Sequence, residues 1–386
     1  MTSLARSRRA AQAAFATQGL VFISLTSRLP RFQDRWGLSD LALSGLLLMM
    51  VLLAGAGSVL AETLAKRRPS DLLLRGGLLL IALALPVVTA APAGAVFIAG
   101  LALYGIGLGA VDATTNMQAV ALEHAYGRPI LPSFHGAWTL GGVIGSVIAL
   151  ALGSAPLWSA AFLVVVPLAV CAAPLLPRVG AVEDVGLAGV PWRPILLVGL
   201  GMVLFYMVDT AAQTWGPTYL DHVFATPHRL VALATLPYLL ASLTLRLAGD
   251  ALVARHGVVT VLRVGAVVAC AALAVVVFAP AWPVAVAGFT VLGAGVAVIA
   301  PLSFSAAASL AGGSRARVDA VIARFNQFNY LGALLGAVLT GAVGSGSLRV
   351  GFAVPMVLIL AMLPLARAFA APAADGAGAS QATPGR

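Results

Sequence analysis

Twelve stretches of this chain are long and apolar enough to cross a bilayer, and that pattern leaves few architectures open. A spanning helix needs about 20 mostly apolar residues. Such runs fall near 11–30, 41–63, 72–91, 94–122, 133–154, 157–177, 193–220, 229–249, 258–279, 282–309, 320–344 and 348–370. Composition agrees: the 386 residues are 61% hydrophobic and 9% charged, against about 25% charged in soluble domains. No water-soluble core of this length hides so much apolar surface, so lipid is the solvent. The basic start, MTSLARSRRAAQAAF, imitates a signal peptide. With so many runs behind it, it reads as an uncleaved first helix.

Charge sets the expected orientation. The formal charge of +10 does not point to nucleic acid, because the basic residues sit in short loops between apolar runs. With the N-terminus inside, outer segments receive only Arg28, Arg31, Arg35, Arg229 and Arg349 of the 23 lysines and arginines. That asymmetry predicts cytoplasmic termini in an inner or plasma membrane. Lys66, Arg67 and Arg68 read as a topology signal that also meets anionic lipid. Arg28 is expected to snorkel to the outer interface. The stretch 178–192, with Glu183 and Asp184, is the candidate central cytoplasmic loop between bundles 1–177 and 193–371. The segment 372–386, rich in Ala, Gly and Pro, reads as a disordered tail. Cys171 and Cys270 lie in apolar runs and give no disulfide or metal pattern.

The two halves repeat. Gly100, Gly105 and Gly107 match Gly288, Gly293 and Gly295 at one offset, and Arg75 and Gly77 match Arg263 and Gly265 at the same offset. After a small insertion, Phe134-His135, Gly141 and Gly145 match Phe325-Asn326, Gly332 and Gly336. Matches in chain order at a nearly fixed offset indicate a six-plus-six duplication, the pattern of many secondary transporters.

The loop Arg246-Leu-Ala-Gly249-Asp250-Ala-Leu-Val-Ala-Arg255-His-Gly257 looks like the cytoplasmic G-x-x-x-D-R-x-G-R-R signature of the major facilitator superfamily. The chain resembles that superfamily over about residues 10 to 370. Its first-half copy, Glu62 through Arg68, lacks the usual glycine and aspartate. The pattern Asp112-x-x-x-Asn116, Glu123, Gly127-Arg128-Pro129 and Phe134-His135-Gly136, with Asp209 and Trp215-Gly-Pro-Thr-Tyr219-Leu, is similar to the YbjJ-like branch, distantly like fucose permeases. The resemblance implies an all-α membrane protein with twelve transmembrane helices in two pseudo-symmetric six-helix bundles, and transport of a small solute. The G-P-x-x-G-G antiporter signature is missing from the fifth run, where Gly141-Gly142 stands without the preceding Gly-Pro pair. That favours symport and leaves export of drugs or metabolites as the alternative.

Two carboxylates lie deep in the apolar runs, and an intramembrane acid marks function by default. On the fourth helix Gly105, Gly109, Asp112, Asn116 and Glu123 fall within about 60° of one another. Small residues there permit close helix approach, and the polar ones beyond suggest a cavity. A carboxyl group in low dielectric can take up a proton near neutral pH, so Asp112 is the first candidate for proton coupling. The bland reading is a fixed structural pair. Asp209 is the second candidate, with Gln213 and Tyr206 on its helix; a structural hydrogen bond is the equal alternative. His135 can exchange protons, or it caps a helix. Gln18, Asn116, Trp138, Tyr206, Gln213, Asn326 and Asn329 are candidate substrate-binding residues. Trp138 either stacks on a ring or packs. Asp250 and Arg255 are candidates for a gating charge pair.

Other classes are weaker. No H-E-x-x-H or G-x-S-x-G pattern accompanies the five histidines, so an enzyme is not expected. No G-x-x-x-x-G-K-[ST] loop appears, so the energy source is expected to be an ion or solute gradient. No cofactor is implied. The expected partners are a small solute, protons and the bilayer, with a monomer containing the whole pathway. A transporter-like sensor is expected to carry an extra domain or a long cytoplasmic tail.

Overall fold

The computed structural model describes residues 3–127, 130–177, 190–311 and 315–370, and these are helical almost throughout. In chain order the helices are α1 (Ser3–Thr26), α2 (Leu29–Trp36), α3 (Asp40–Ala65), α4 (Ser70–Thr89), α5 (Gly94–Tyr126), α6 (Leu131–Ala151) and α7 (Val165–Cys171). The second half has α8 (Trp192–Phe224), α9 (Leu236–His256), α10 (Val258–Val277), α11 (Trp282–Val296), α12 (Ile299–Ala311), α13 (Arg315–Phe325), α14 (Gln327–Val343), α15 (Leu348–Leu358) and α16 (Met362–Leu365). Among the described residues, nine helices have the length and hydropathy of a membrane span, and Leu157–Cys171 and Gln327–Val343 are shorter apolar helices. With α1 they make the twelve crossings that the sequence predicts.

Several runs differ from expectation for physical reasons. The first helix begins at Ser3 because Arg8 and Gln12 are satisfied inside the protein, both donating to Ser133 Oγ at 3.2 Å. It stops at Thr26, and the short amphipathic α2 follows, with Pro30 in its first turn. Arg28 does not snorkel: it is buried and donates to the Ser24 carbonyl at 2.7 Å. The sixth crossing starts as 3-10 helix over Leu157–Val164. The tenth breaks between α11 and α12, and the eleventh at Asn326. The expected central loop lies outside the described residues over 178–189, as does the expected tail.

Outward faces carry apolar side chains such as Leu79, Leu83, Val264, Val267 and Val357, which only a lipid solvent accommodates. Inside, the repeat seen in sequence is a repeat of close contacts. A Cβ on Gly105 would lie 2.7 Å from the Met50 carbonyl, and one on Gly293 would lie 2.2 Å from the Tyr238 carbonyl. Gly107 faces the Ile81 amide as Gly295 faces that of Ala269. Gly141 and Gly145 meet the carbonyls of Ala16 and Leu20; Gly332 and Gly336 meet those of Val203 and Met207. Arg75 and Arg263 each donate to a backbone carbonyl of the last crossing of their half, Ala173 and Leu363, at 3.0 Å. The same helix pairs are thus locked by small residues in both bundles.

The two bundles meet tightly at the end where α1 finishes, termed the distal end. Ser146 and Thr235 share a hydrogen bond of 3.2 Å between α6 and the start of α9. Gly341 on α14 lies where a Cβ would fall 2.2 Å from Ser44 Oγ on α3. Gly153, beyond α6, has room for no side chain because the Arg229 Cα would be 2.4 Å from it.

Candidate functional site

The centre of the site is the carboxylate of Asp112. The glycines that precede it on α5 seat that helix against α3, where a Cβ on Gly109 would lie 1.7 Å from the Ala54 carbonyl. This close seating turns Asp112 towards α1 and α14. One carboxylate oxygen accepts from Gln18 Nε2 at 3.3 Å, and the other accepts from the Tyr330 hydroxyl at 2.5 Å. Gln18 belongs to the first bundle and Tyr330 to the second, so Asp112 joins the halves. Asn116 does not extend to the carboxylate; its amide donates to the Asp112 backbone carbonyl at 2.9 Å.

From Tyr330 the polar contacts continue along α3. Its hydroxyl also meets the Ser58 side chain, and Ser58 donates to Glu62 at 3.3 Å. Ser58 is buried while Glu62 is exposed. A line of hydrogen-bonding groups therefore runs from the surface to Asp112.

Asp209 organises the second half. Tyr238 on α9 donates to its carboxylate at 2.6 Å, and Gln213, one turn along α8, hydrogen-bonds to it as well. The Gln213 carbonyl oxygen is buried without a hydrogen-bond partner. Tyr206 lies in the neighbourhood of Asp209, Arg246 and Asp112. Arg246 donates to the Ala297 carbonyl and, across the bundle boundary, to Thr139 Oγ1, each at 3.2 Å. Its guanidinium lies 5.9 Å from the Phe205 ring.

His135 sits between aromatic rings from the two bundles, edge-on to Phe15 at 5.6 Å and stacked on Phe304 at 6.2 Å. It does not cap a helix through a side-chain hydrogen bond; α6 is capped by Glu123, whose carboxylate accepts from the Ile130 and Leu131 amides at 2.7 and 2.8 Å. Glu123 is thus spent on the turn rather than on a cavity face. Trp138 lies half-buried with its ring 6.3 Å from Phe22, and its backbone carbonyl is in close contact with Gly19. Asn329 donates to Asn326 at 2.6 Å where α13 gives way to α14, and the Asn329 carbonyl oxygen is buried without a hydrogen-bond partner. Arg255 is exposed in the last turn of α9. The side chain of Asp250 lies outside the described residues.

The structure therefore draws Gln18, Asp112 and Asn116 together, and Tyr206, Asp209 and Gln213. It adds Tyr330, Tyr238 and Arg246, which the sequence reading did not place at a site. One signal was available for Tyr330: it lies four residues after Asn326, on the repeat of the His135 segment. Arg246 was hidden because it counts as a cytoplasmic basic residue in the loop motif.

Comparison with known proteins follows the same lines. Residues 2–129 match the profile of the Major Facilitator Superfamily. An uncharacterized MFS-type transporter of Yersinia pestis is 27% identical over 370 residues, covering 92% of this chain and 94% of that protein. The uncharacterized transporter y4wD of Sinorhizobium fredii is 27% identical over 318 residues, 78% of this chain and 82% of its own. Among solved structures, the nucleoside transporter NupG superposes with a TM-score of 0.71 at 14% identity, covering 96% of this chain and 98% of that one. The E. coli fucose:proton symporter FucP superposes with a TM-score of 0.62 at 17% identity, covering 96% and 100%. At such identities the structures establish the fold.

Proposed function

We propose, from the premise that this chain is a membrane transporter of the major facilitator fold and not an enzyme, that it moves a small polar solute by alternating access coupled to protons. The observation that carries the reading is the Asp112 carboxylate, held at once by Gln18 of its own bundle and Tyr330 of the other. A carboxyl group there cannot change its protonation without changing what ties the bundles together. Asp209, held by Tyr238, is the second acid, and Arg246, Tyr206 and Gln213 beside it offer an anion or hydroxyl partner to the solute. His135, between aromatic rings, has room to exchange a proton only when α6 and α12 part. Trp138, Asn326 and Asn329 complete the candidate solute contacts, and Asp250 with Arg255 is the candidate gate at the end opposite the distal one.

The basic-residue asymmetry supports cytoplasmic termini in an inner or plasma membrane. With that orientation, the joined distal end is the outer end. The missing antiporter signature supports symport, and the symport named for FucP is a precedent on the same fold. The Asp112 and Phe134-His135 patterns support the YbjJ-like branch, and the site formed between two bundles of one chain supports a monomer built of bundles 1–177 and 193–371.

The test is proton movement in proteoliposomes containing a pH dye, screened against pooled solutes, with Asp112→Asn beside the parent. Coupling predicts a solute-dependent pH change that Asp112→Asn abolishes while solute exchange persists. Solute flux without a pH change, equal in both proteins, would sink the coupling role and leave a facilitator.

A further inference from the structure

At the distal end, five titratable side chains from both bundles form one continuous cluster. Asp40, at the start of α3, accepts from Gln33 at 2.9 Å and lies 3.3 Å from His222 Nδ1. His222 Nε2 is 3.9 Å from Asp221, whose other oxygen is 3.4 Å from His228 Nδ1. His228 Nε2 is 3.5 Å from Asp34 on α2. The chain of contacts thus starts on the first bundle, crosses to the end of α8 and the loop after it, and returns to the first bundle.

The cluster holds three carboxylates and two imidazoles, and the Arg31 guanidinium also faces Asp34. Three of the five come closest at one place. One ligand atom each from Asp34, Asp221 and His228 lie within 4.8 Å of one another. His228 Nδ1 is shielded from solvent and makes no hydrogen bond, although Asp221 is close by. Asp221 stands at one ring nitrogen of His228 and Asp34 at the other, and a dication bound among them offsets the two carboxylate charges.

We propose that Asp34, Asp221 and His228 form a site for a divalent transition-metal cation, of which zinc is the type, that ties the two bundles together at the distal end. One nitrogen and two carboxylate oxygens are a donor set that suits such an ion, with water in the open position. Ligands at about 2.0–2.2 Å in a tetrahedral site stand about 3.4 Å apart. Small rotamer changes of three side chains, two of them near the surface, bring this group to that spacing. The sequence carries no metal motif here because the ligands come from α2, α8 and a loop, far apart in the chain. A metal that requires both bundles holds the distal end shut and stabilises the conformation seen here. A lone protonated histidine bridging the two carboxylates is the competing account, and the test separates them.

The experiment is calorimetric titration of Zn²⁺ into the detergent-solubilised full chain, with a thermal scan at each saturation, and Co²⁺ absorption as a second probe. The expected result is one saturable site whose Kd rises at least tenfold in His228→Asn and in Asp34→Asn, with Zn²⁺ raising the Tm of the parent and not of either variant. Asp34 is 60% exposed, so Asp34→Asn keeps the fold and remains informative if His228→Asn does not. Asp71→Asn, in the first turn of α4 at the opposite end, binds as the parent does. Absence of saturable binding in the parent, or equal binding in all four proteins, overturns the metal and leaves the protonated-histidine bridge.

Discussion

The hydroxyl of Tyr330 is the smallest part of the molecule on which a large change should hang. It donates across the bundle boundary to a carboxylate, and a hydrogen bond to a charged group contributes about 1.5–3 kcal/mol. Tyr330→Phe keeps the ring and deletes the hydroxyl with its contacts to Asp112 and Ser58. The expected outcome is a shift of roughly 10- to 100-fold away from the conformation with a joined distal end, read as faster labelling of a distal cysteine probe. Unchanged labelling would mean that the bond adds nothing to the balance between states. The residue scale is also where the sequence was least informative. Asp112, Asp209 and Gln18 were legible because a polar side chain in an apolar run has no cheap explanation. Tyr330 and Tyr238 were not, because tyrosine is mostly apolar and common at membrane boundaries. Their value lies in the partner each reaches, which only tertiary packing decides. Arg246 was misplaced for a related reason: a basic residue near a helix end satisfies the topology rule whether it faces the loop or the interior.

Helix pairs are fixed by single small residues, and that makes their failure predictable. A Cβ at Gly109 would overlap the Ala54 carbonyl, so Gly109→Ala forces α5 off α3. Overpacking of this kind costs about 1–3 kcal/mol or more, and here it also moves Asp112. The expected result is a fall in Tm in detergent together with loss of transport. Gly136→Ala is the control: nothing lies within 4 Å of its Cβ position, and alanine is the better helix former by about 1 kcal/mol. At the other end of α5, Glu123→Ala removes the acceptor for two amides at the start of α6. Loss of such a cap costs about 0.5–2 kcal/mol, so Glu123→Ala should lower the Tm while solute-driven pH changes, scaled to folded protein, persist. Helix existence was readable from the apolar runs, and the paired glycines announced which faces would meet. Helix breaks went unread: Pro301 stands four residues after Ala297, where α11 gives way to α12, and leaves that carbonyl without its helical donor, whereas no proline marks the interruption at Asn326. The short α2 was missed because its basic residues looked like loop.

At the scale of the whole molecule, the proposed rocking of two bundles is incompatible with fastening them together. The distal seam offers a way to fasten them: Ser146 and Thr235 hydroxyls lie 3.2 Å apart on opposite bundles. A disulfide holds its two sulfur atoms about 2.0 Å apart, and the hydroxyl oxygens that would be replaced by sulfur already lie 3.2 Å from each other. Ser146→Cys combined with Thr235→Cys, in a background with Cys171 and Cys270 replaced by serine, should therefore cross-link under mild oxidant. Because the link spans the boundary, it freezes the distal end shut. Transport should fall at least tenfold on oxidation and return on adding reductant, while each single cysteine variant is unaffected by either treatment. A cross-linked protein that transports at the parent rate would show that the distal seam does not open during the cycle, and alternating access by rocking would have to be replaced by movement of single helices within one bundle. The repeat of contacts favours rocking. Each bundle is locked by the same glycine approaches, whereas the contacts between bundles at the centre are hydrogen bonds through Asp112, Thr139 and Ser58, which exchange partners at low cost.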